Sequence, residues 1–292
     1  MVNFNTIADL IRLAMDKGVP IHEIVLAKES YDSRKIREKL IVTMAENWQV
    51  MQASIKRGIK NTKHSASGLT GGDAKKIFAY KENAFIGESG IKAAAYAVGI
   101  SEVNAVMGRI VACPTAGSCG ILPAALYMAK EKLAIADDMI IKALFTAAGI
   151  GMVIDQNASI AGAEGGCQAE CGTAAGMAAG ALVELQGGSP SKVGNAVALA
   201  IKNLLGLTCD PVAGLVEVPC VKRNGFAVTV AMLAADMTMA GVESFIPVDE
   251  VIEAMNRIGR SMPRELRETS EGGLATTKTA KAVEAKIYSG NS

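Results

Sequence analysis

Six cysteines are the residues of this sequence whose type and position best suit chemistry. They occur at positions 113, 119, 167, 171, 209 and 220, all in the middle of the chain. Each has a glycine or a proline close by in sequence, which predicts loops rather than helix faces around them. In a reducing compartment such thiols serve as core packing, as ligands of a metal or cluster, or in catalysis.

The spacing of the cysteines favours some of these uses over others. Disulfides are typical of exported proteins, and the segment 1–18 carries charges at intervals instead of the apolar run of an export signal. Structural zinc is disfavoured, because Cys167 and Cys171 are loosely spaced and no histidine lies near them. An iron–sulfur cluster held by thiolates alone and simple packing both fit the spacing.

The loop ACPTAGSCG, residues 112–120, predicts a site for a carboxylate. Its Gly117, Ser118 and Gly120 expose backbone N–H groups ahead of a helix that we expect to begin near Pro123. The hydroxyl groups of Thr115 and Ser118 would add donors. The alternative is that these two hydroxyls cap the following helix.

Three further residues are candidates for contact with a substrate. Glu164 follows a long stretch with almost no charge, so it is a candidate for binding an ammonium group or acting as a base; the alternative is a hydrogen bond to loop amides. Asn157 flanks the same loop and is predicted to bind substrate. His64, in KHSASGLTGG, is a candidate general acid or base, and the alternative is a solvated loop histidine.

Four longer segments resemble the α subunit of the iron–sulfur-dependent bacterial L-serine dehydratase (L-serine deaminase) family. The resemblance covers essentially the whole chain. The segments are GRIVACPTAGSCGILPA (108–124), NASIAGAEGGCQAECG (157–172), LGLTCDPVAGLVEVPCVKRN (205–224) and MPRELRETSEGGLATT (262–277).

The resemblance implies a 4Fe–4S cluster held by Cys167, Cys209 and Cys220. It assigns Cys113, Cys119 and Cys171 to packing, with Cys113 and Cys171 open to recruitment as a fourth ligand. Three ligands for four irons imply one iron with an open coordination site that acts as a Lewis acid on the serine hydroxyl. Pyridoxal phosphate is not expected, and a requirement for a monovalent cation is left open.

The implied function is the deamination of L-serine to pyruvate and ammonia, in amino-acid catabolism that feeds gluconeogenesis. We expect a separate β subunit as partner, within an oligomer, because the smaller β domain of single-chain relatives is not found in this sequence. The catalytic base would then come from either chain. Two alternatives are a related L-cysteine desulfidase with the same cluster chemistry and a non-catalytic iron–sulfur sensor.

The composition describes the fold that must position these residues. Half of the 292 residues are hydrophobic but only 4% are aromatic, so the core is expected to consist of small and aliphatic side chains. Residues 139–221 hold only nine charged side chains among 83, and segments such as GTAAGMAAGALVELQGG are apolar all round, which predicts buried helices. We predict a mostly α fold with buried central helices, cysteine-bearing loops at the core and few short strands.

Capping residues, hydrophobic spacing and net charge predict individual elements and exclude some partners. We predict a helix that is capped by Asn5 or Thr6 and ends near Gly18, and a second helix from Ser33 through Met51. Glu217–Pro219 and Phe226–Val230 are candidate strands. Residues 1–292 are taken as one catalytic domain with a polar C-terminal tail over 265–292. A net charge of +1 disfavours nucleic acid as a partner. The longest uncharged run, 110–129, contains two prolines, so we expect no membrane span and a cytoplasmic protein.

Overall fold

Helices make up almost all of the regular structure in this computed structural model, which describes residues 3–289. The α-helices of that range are α1 (Ile7–Lys17), α2 (Ile21–Ser33), α3 (Arg37–Gly58), α4 (Asp73–Ala79), α5 (Gly87–Ala105), α6 (Ile121–Leu133), α7 (Asp137–Asn157), α8 (Gly162–Gly165), α9 (Thr173–Leu185), α10 (Pro190–Lys202), α11 (Cys220–Met239), α12 (Val248–Ser261) and α13 (Lys278–Tyr288). A π-helical turn spans Gln168–Gly172, and 3₁₀ turns span Lys81–Asn83, Val212–Gly214, Arg264–Leu266 and Gly273–Thr276. Within these residues the only β pairing is one parallel bridge between Cys209 and Arg267. The predicted mostly α fold is confirmed.

Local sequence signals located some elements well and others wrongly. Helix α1 is capped by the hydroxyl of Thr6, which accepts the Asp9 N–H at 3.0 Å, and the helix ends at Gly18 in the left-handed region. The strand predictions are wrong. Residues 217–219 form a turn and residues 226–230 lie inside α11. The buried Ala227, Val228 and Ala231 recur at helical spacing. Over so short a window, the sequence pattern of a helix cannot be distinguished from the two-residue alternation of a strand.

Helix α9 forms the centre of the molecule. Every residue from Thr173 to Val183 is buried, and the helix packs against α6, α7, α10 and α11. Its alanines and glycines allow this crowding, because a methyl group added at Gly180 would overlap the side chain of Ile150 on α7. The predicted buried central helices are therefore present, and the π-helical turn that contains Cys171 leads directly into the most buried of them.

Helices α3 and α5 meet through two glycines. A methyl group added at Gly58 would overlap the backbone carbonyl of Gly99. The Gly, Ser, Thr and Lys content of residues 57–73 predicts a loop, and the structure places it at 59–72, from this contact to α4. The close helix approach therefore sets where that loop leaves the core.

The C-terminal residues return to the body of the protein. Helix α13 packs against the 3₁₀ turn Val212–Gly214, where Ala280 is buried with Val212 and Ala213. Residues 290–292 of the predicted tail lie outside the described residues. The assignment of residues 1–292 to one catalytic domain stays a prediction.

The helices differ from membrane spans in length or composition. Within residues 3–289, none combines the length and the apolar character that crossing a bilayer requires.

Replacing Gly58 by Ala tests the glycine contact between α3 and α5. The methyl group has no room without separating the two helices, so we expect the free energy of unfolding to fall by about 1–3 kcal/mol. Urea unfolding followed by circular dichroism measures this change.

The matched control is Gly151→Ala in α7. A methyl group there lies 3.1 Å from the flexible thioether sulfur of Met177, which can move away. We expect a change of less than about 1 kcal/mol in either direction. Equal destabilisation by the two substitutions would contradict a specific role for the Gly58–Gly99 contact.

Candidate active site

Four of the six cysteine side chains share one buried neighbourhood. The sulfur atoms of Cys167 and Cys171 are 3.4 Å apart, and both residues are buried. Burial raises the pKa of the Cys209 thiol and raises that of Cys220 to about 12, and in both cases the charge of Cys167 adds to the effect. The three cysteines singled out by the sequence, Cys167, Cys209 and Cys220, are therefore close enough to interact electrostatically.

The other two cysteines, Cys113 and Cys119, belong to the loop 112–120, and both are buried. The thiol of Cys113 lies 3.5 Å from the carbonyl oxygens of Val111 and Cys119. Burial raises the pKa of the Cys119 thiol to about 12 and raises that of Cys113 strongly. These surroundings stabilise protonated thiols, as is typical of cysteines that pack.

Cys167 is positioned by its two neighbours in sequence. Gly166 has a φ of 74°, and a side chain there would contact the carbonyl oxygen of Leu207 at 2.9 Å. The buried amide of Gln168 donates to the carbonyl of Met255 and accepts from the N–H of Gly206, both at 2.9 Å. Gln168 thereby ties the Cys167 segment to α12 and to the loop that carries Cys209.

Cys209 is held by the segment 264–268. Its N–H donates to the carbonyl of Leu266 at 2.8 Å, and its own carbonyl accepts from the N–H of Glu268 at 2.7 Å. The next residue, the buried Asp210, accepts the N–H of Leu274 at 2.8 Å. The fourth segment of the resemblance, 262–277, is therefore the support for this cysteine.

Cys220 begins α11, which also supplies the positive charge of the neighbourhood. One turn further on, Arg223 donates to the carboxylate of Asp210 at 2.9 Å and to the carbonyl of Thr208 at 2.6 Å. A hydrogen bond with Cys171 lowers the pKa of the Cys167 thiol, and the charge of Arg223 lowers it further. Cys167 is thus the cysteine of this group whose thiolate the protein stabilises most.

Asn224, on α11, connects the cysteine region to the loop 112–120. Its side-chain amide donates to the carbonyl of Gly117 at 2.7 Å and to that of Cys220 at 3.0 Å. Its oxygen accepts the N–H of Gly120 at 2.9 Å. The side chain is fully buried, so these three bonds set the position of the loop relative to the start of α11.

The loop 112–120 has the predicted polar character. The hydroxyl oxygens of Thr115 and Ser118 lie 3.2 Å apart. Within the described residues, the four backbone N–H groups of residues 115–118 donate to no acceptor. Helix α6 begins with Gly120 as N-cap and no side-chain cap, so neither hydroxyl caps it. Four consecutive N–H groups without an acceptor are donors available to an anion.

The sequence did not single out Glu170, whose carboxylate lies beside this loop. It accepts the hydroxyl proton of Thr115 at 2.6 Å, and only 8% of the residue is exposed. Burial raises the pKa of Glu170. The low charge of the segment 162–172 is the available signal, and it points equally to Glu164.

Three sequence-predicted residues, Asn157, Glu164 and His64, lie away from Thr115, Ser118 and Glu170. The exposed Asn157 uses its amide to donate to the carbonyls of Asn5 and Val153. Glu164 is exposed and borders a cavity of about 80 Å³ that Gln168 also lines.

His64 is exposed on the loop 59–72. Its neighbour Ser65 donates at 2.5 Å to Glu217, three residues before Cys220. The loop that carries His64 is therefore fastened to the segment that leads to a predicted cluster ligand. Thr115 and Ser118 are the other predicted substrate residues, and they are brought together with each other and with Glu170.

The donor set fits an iron–sulfur cluster better than a single metal ion. In the part of the chain that the structure describes, no three His, Cys, Asp or Glu side chains are arranged to hold one ion. Cluster thiolates bind different irons, so their sulfur atoms need not converge on one point. The neighbourhood offers soft sulfur donors, and a bound metal deprotonates thiols whose pKa burial has raised.

Comparison with known proteins gives consistent matches over most of the chain. Residues 16–275 match the family described as serine dehydratase alpha chain. The "Probable L-serine dehydratase, alpha chain" of Bacillus subtilis is 48% identical, over 98% of this chain and 96% of that protein. The L-serine dehydratase alpha chain of Peptoniphilus asaccharolyticus is 43% identical over 96% of each. An L-serine dehydratase of Streptomyces coelicolor is 41% identical over 93% of this chain but only 60% of that longer protein.

The substitution Asn224→Ala tests the connection between the loop and α11. It leaves the buried N–H of Gly120 and the carbonyl of Gly117 without partners, at about 1–3 kcal/mol for each group. We expect the free energy of unfolding to fall by roughly 2–4 kcal/mol, measured by urea unfolding.

Asn203→Ala is the control, because the exposed Asn203 makes one comparable bond, donating to the carbonyl of Leu199 at 2.8 Å. Its loss is expected to cost less than about 0.5 kcal/mol, as for other surface changes. If the two variants unfold at the same urea concentration, the Asn224 bonds do not hold the loop in place.

Proposed function

The chain belongs to the serine dehydratase alpha chain family, and we propose that it catalyses the deamination of L-serine to pyruvate and ammonia. The observation that carries this proposal is the pairing of two features in one neighbourhood. Buried thiols suited to a cluster are tied by Asn224 to a loop with four unpaired N–H groups. A serine zwitterion needs both features, a metal for its hydroxyl and an anion site for its carboxylate.

We infer that Cys167, Cys209 and Cys220 hold a 4Fe–4S cluster. When bound, the cluster supplies an iron with an open coordination position, which acts as a Lewis acid on the substrate hydroxyl. Arg223 would partly balance the negative charge of the thiolates while it remains paired with Asp210. Cys171 would stay a thiol that donates to Cys167.

The loop 112–120 would bind the substrate carboxylate. Backbone N–H groups of residues 115–118 and the hydroxyl of Ser118 are the donors. Thr115 has one hydroxyl proton and donates it to Glu170, so it cannot donate to the substrate at the same time. The predicted role of Thr115 in binding the substrate carboxylate stays a prediction.

Loss of the hydroxyl group and of the Cα proton from serine yields aminoacrylate, which tautomerises to an imine and hydrolyses to pyruvate and ammonia. His64 and Glu164 stay predictions for the acid and base, and Asn157 for substrate binding. We propose that the enzyme acts in the cytoplasm, in serine catabolism that feeds gluconeogenesis. We also propose an oligomer with a separate β subunit, which would contribute any catalytic group that this chain does not supply.

Iron and acid-labile sulfide per chain, measured after anaerobic reconstitution, test the cofactor directly. About four of each are expected for a cube ligated by thiolates. Pyruvate formation from L-serine by the same sample tests the activity. Values near zero for iron and sulfide would remove the metal from the proposal.

Cys209→Ser tests the ligand assignment. A serine hydroxyl is a poor replacement for a soft thiolate, so we expect cluster content and pyruvate formation both to fall below about a tenth of the wild-type values. Cluster content is read from iron, sulfide and the visible absorption of the reconstituted protein.

Cys171→Ser is the matched control, since Cys171 lies in the same buried group and serine keeps a hydrogen-bond donor toward Cys167. It should retain most of the cluster and most of the activity. Equal losses in the Cys171 and Cys209 variants would show that the three-cysteine assignment is wrong.

A further inference from the structure

The carboxylate of Glu170 lies between the anion-binding loop and the cysteines. Its Oε1 accepts from Thr115 on the loop side at 2.6 Å. A methyl group added at Gly162 would be 3.0 Å from Oε2 and also 3.0 Å from the sulfur of Cys209. Oε2 and that sulfur are therefore no more than about 6 Å apart, with a glycine that adds no side chain beside them.

A second glycine lets the backbone of the loop 112–120 approach this carboxylate closely. A methyl group added at Gly117 would be 2.9 Å from Oε1 and 3.1 Å from Oε2. The carboxylate thus faces positions without side chains at both neighbouring loops.

Glu170 has no positive partner in the part of the chain that the structure describes. Burial raises its pKa and the charge of Arg223 opposes this, but both ends of that guanidinium are engaged by Asp210 and the carbonyl of Thr208. Oε2 accepts no hydrogen bond from the described residues, although a carboxylate has about four acceptor positions. A buried carboxylate without a cation is costly, and the neighbouring thiolates would increase that cost.

We propose that Glu170 binds the α-ammonium group of the substrate through Oε2. This inference rests on the proposed function. In L-serine the Cα that carries the ammonium lies between the carboxylate and the hydroxymethyl group. Glu170 lies in the same order between the loop with the unpaired N–H groups and Cys209. The ammonium supplies the positive charge and the donors that Oε2 lacks.

Glu170→Gln in the anaerobically reconstituted enzyme, in the assembly that turns over L-serine, tests this role. The amide keeps the shape and can still accept from Thr115, but it removes the charge. Loss of a charge-assisted hydrogen bond predicts a KM for L-serine raised about 10- to 100-fold, with a smaller change in kcat. Iron and sulfide per chain should match the wild type.

L-Glycerate provides a second measurement, because it has the carboxylate and the primary hydroxyl of serine but a hydroxyl in place of the ammonium. Glu170→Gln should reduce the preference of the site for L-serine over L-glycerate by at least tenfold, measured as KM against the inhibition constant. Glu170→Asp, which keeps the charge on a shorter side chain, should retain that preference. It also provides the test if the glutamine variant does not fold.

The control for a general effect of charge removal is Glu253→Gln. Glu253 is exposed on α12 and pairs with Arg257, so KM for L-serine should not change.

Several results would overturn the proposal. An unchanged KM would exclude ammonium binding. A collapse of kcat at constant KM would make Glu170 a base. Loss of iron in Glu170→Gln would assign the carboxylate to the cluster, and equal weakening of serine and glycerate would indicate structural damage. Failure of the wild type to turn over L-serine would instead overturn the proposed function itself, before any variant is compared.

Discussion

The geometry of the site depends on the side-chain amide of Asn224. Within one planar group it accepts from a backbone N–H of the loop 112–120 and donates to carbonyls on both sides of the gap, at Gly117 and Cys220. Only Asn and Gln combine an acceptor with two donors in this way, and the shorter chain of Asn limits how far the two segments can separate. Gly117 and Gly120 are more than 100 residues from Asn224 in sequence, so this amide sets the distance between the loop with the unpaired N–H groups and the Cys220 segment.

Two of the connections around the cysteines use uncharged amide side chains, and a third is the ion pair of Arg223 with Asp210. The side-chain amide of Gln168 connects the Cys167 segment to the Cys209 segment, as the amide of Asn224 connects the loop 112–120 to α11. Cations at these points would compete with a metal for the thiolates and with a substrate for Glu170. Arg223 pairs with Asp210, and its charge also acts on the thiol of Cys167. Glu170 is left without a paired cation among the described residues.

The sequence was sufficient for the helical fold, whereas the cysteine ligand set that the resemblance implies stays a prediction. Low charge and small residues over 139–221 indicated buried helices, and the ordered segments of the family indicated Cys167, Cys209 and Cys220. It was insufficient for Glu170 and Asn224, because their roles come from contacts between distant segments. Glu164 and Glu170 show the difficulty, since they are six residues apart in one glycine-rich stretch.

Helix α8 ends at Gly165, and the π-helical turn that follows directs Glu170 inward while Glu164 stays exposed. No local pattern distinguishes the two. The turn is wholly buried because α9, which continues it, is made of residues small enough to be surrounded by other helices. Within five residues it directs Gln168 toward the Cys209 loop, Glu170 toward Thr115 and Cys171 toward Cys167. One buried piece of backbone therefore positions two distant loops and the thiol of Cys167.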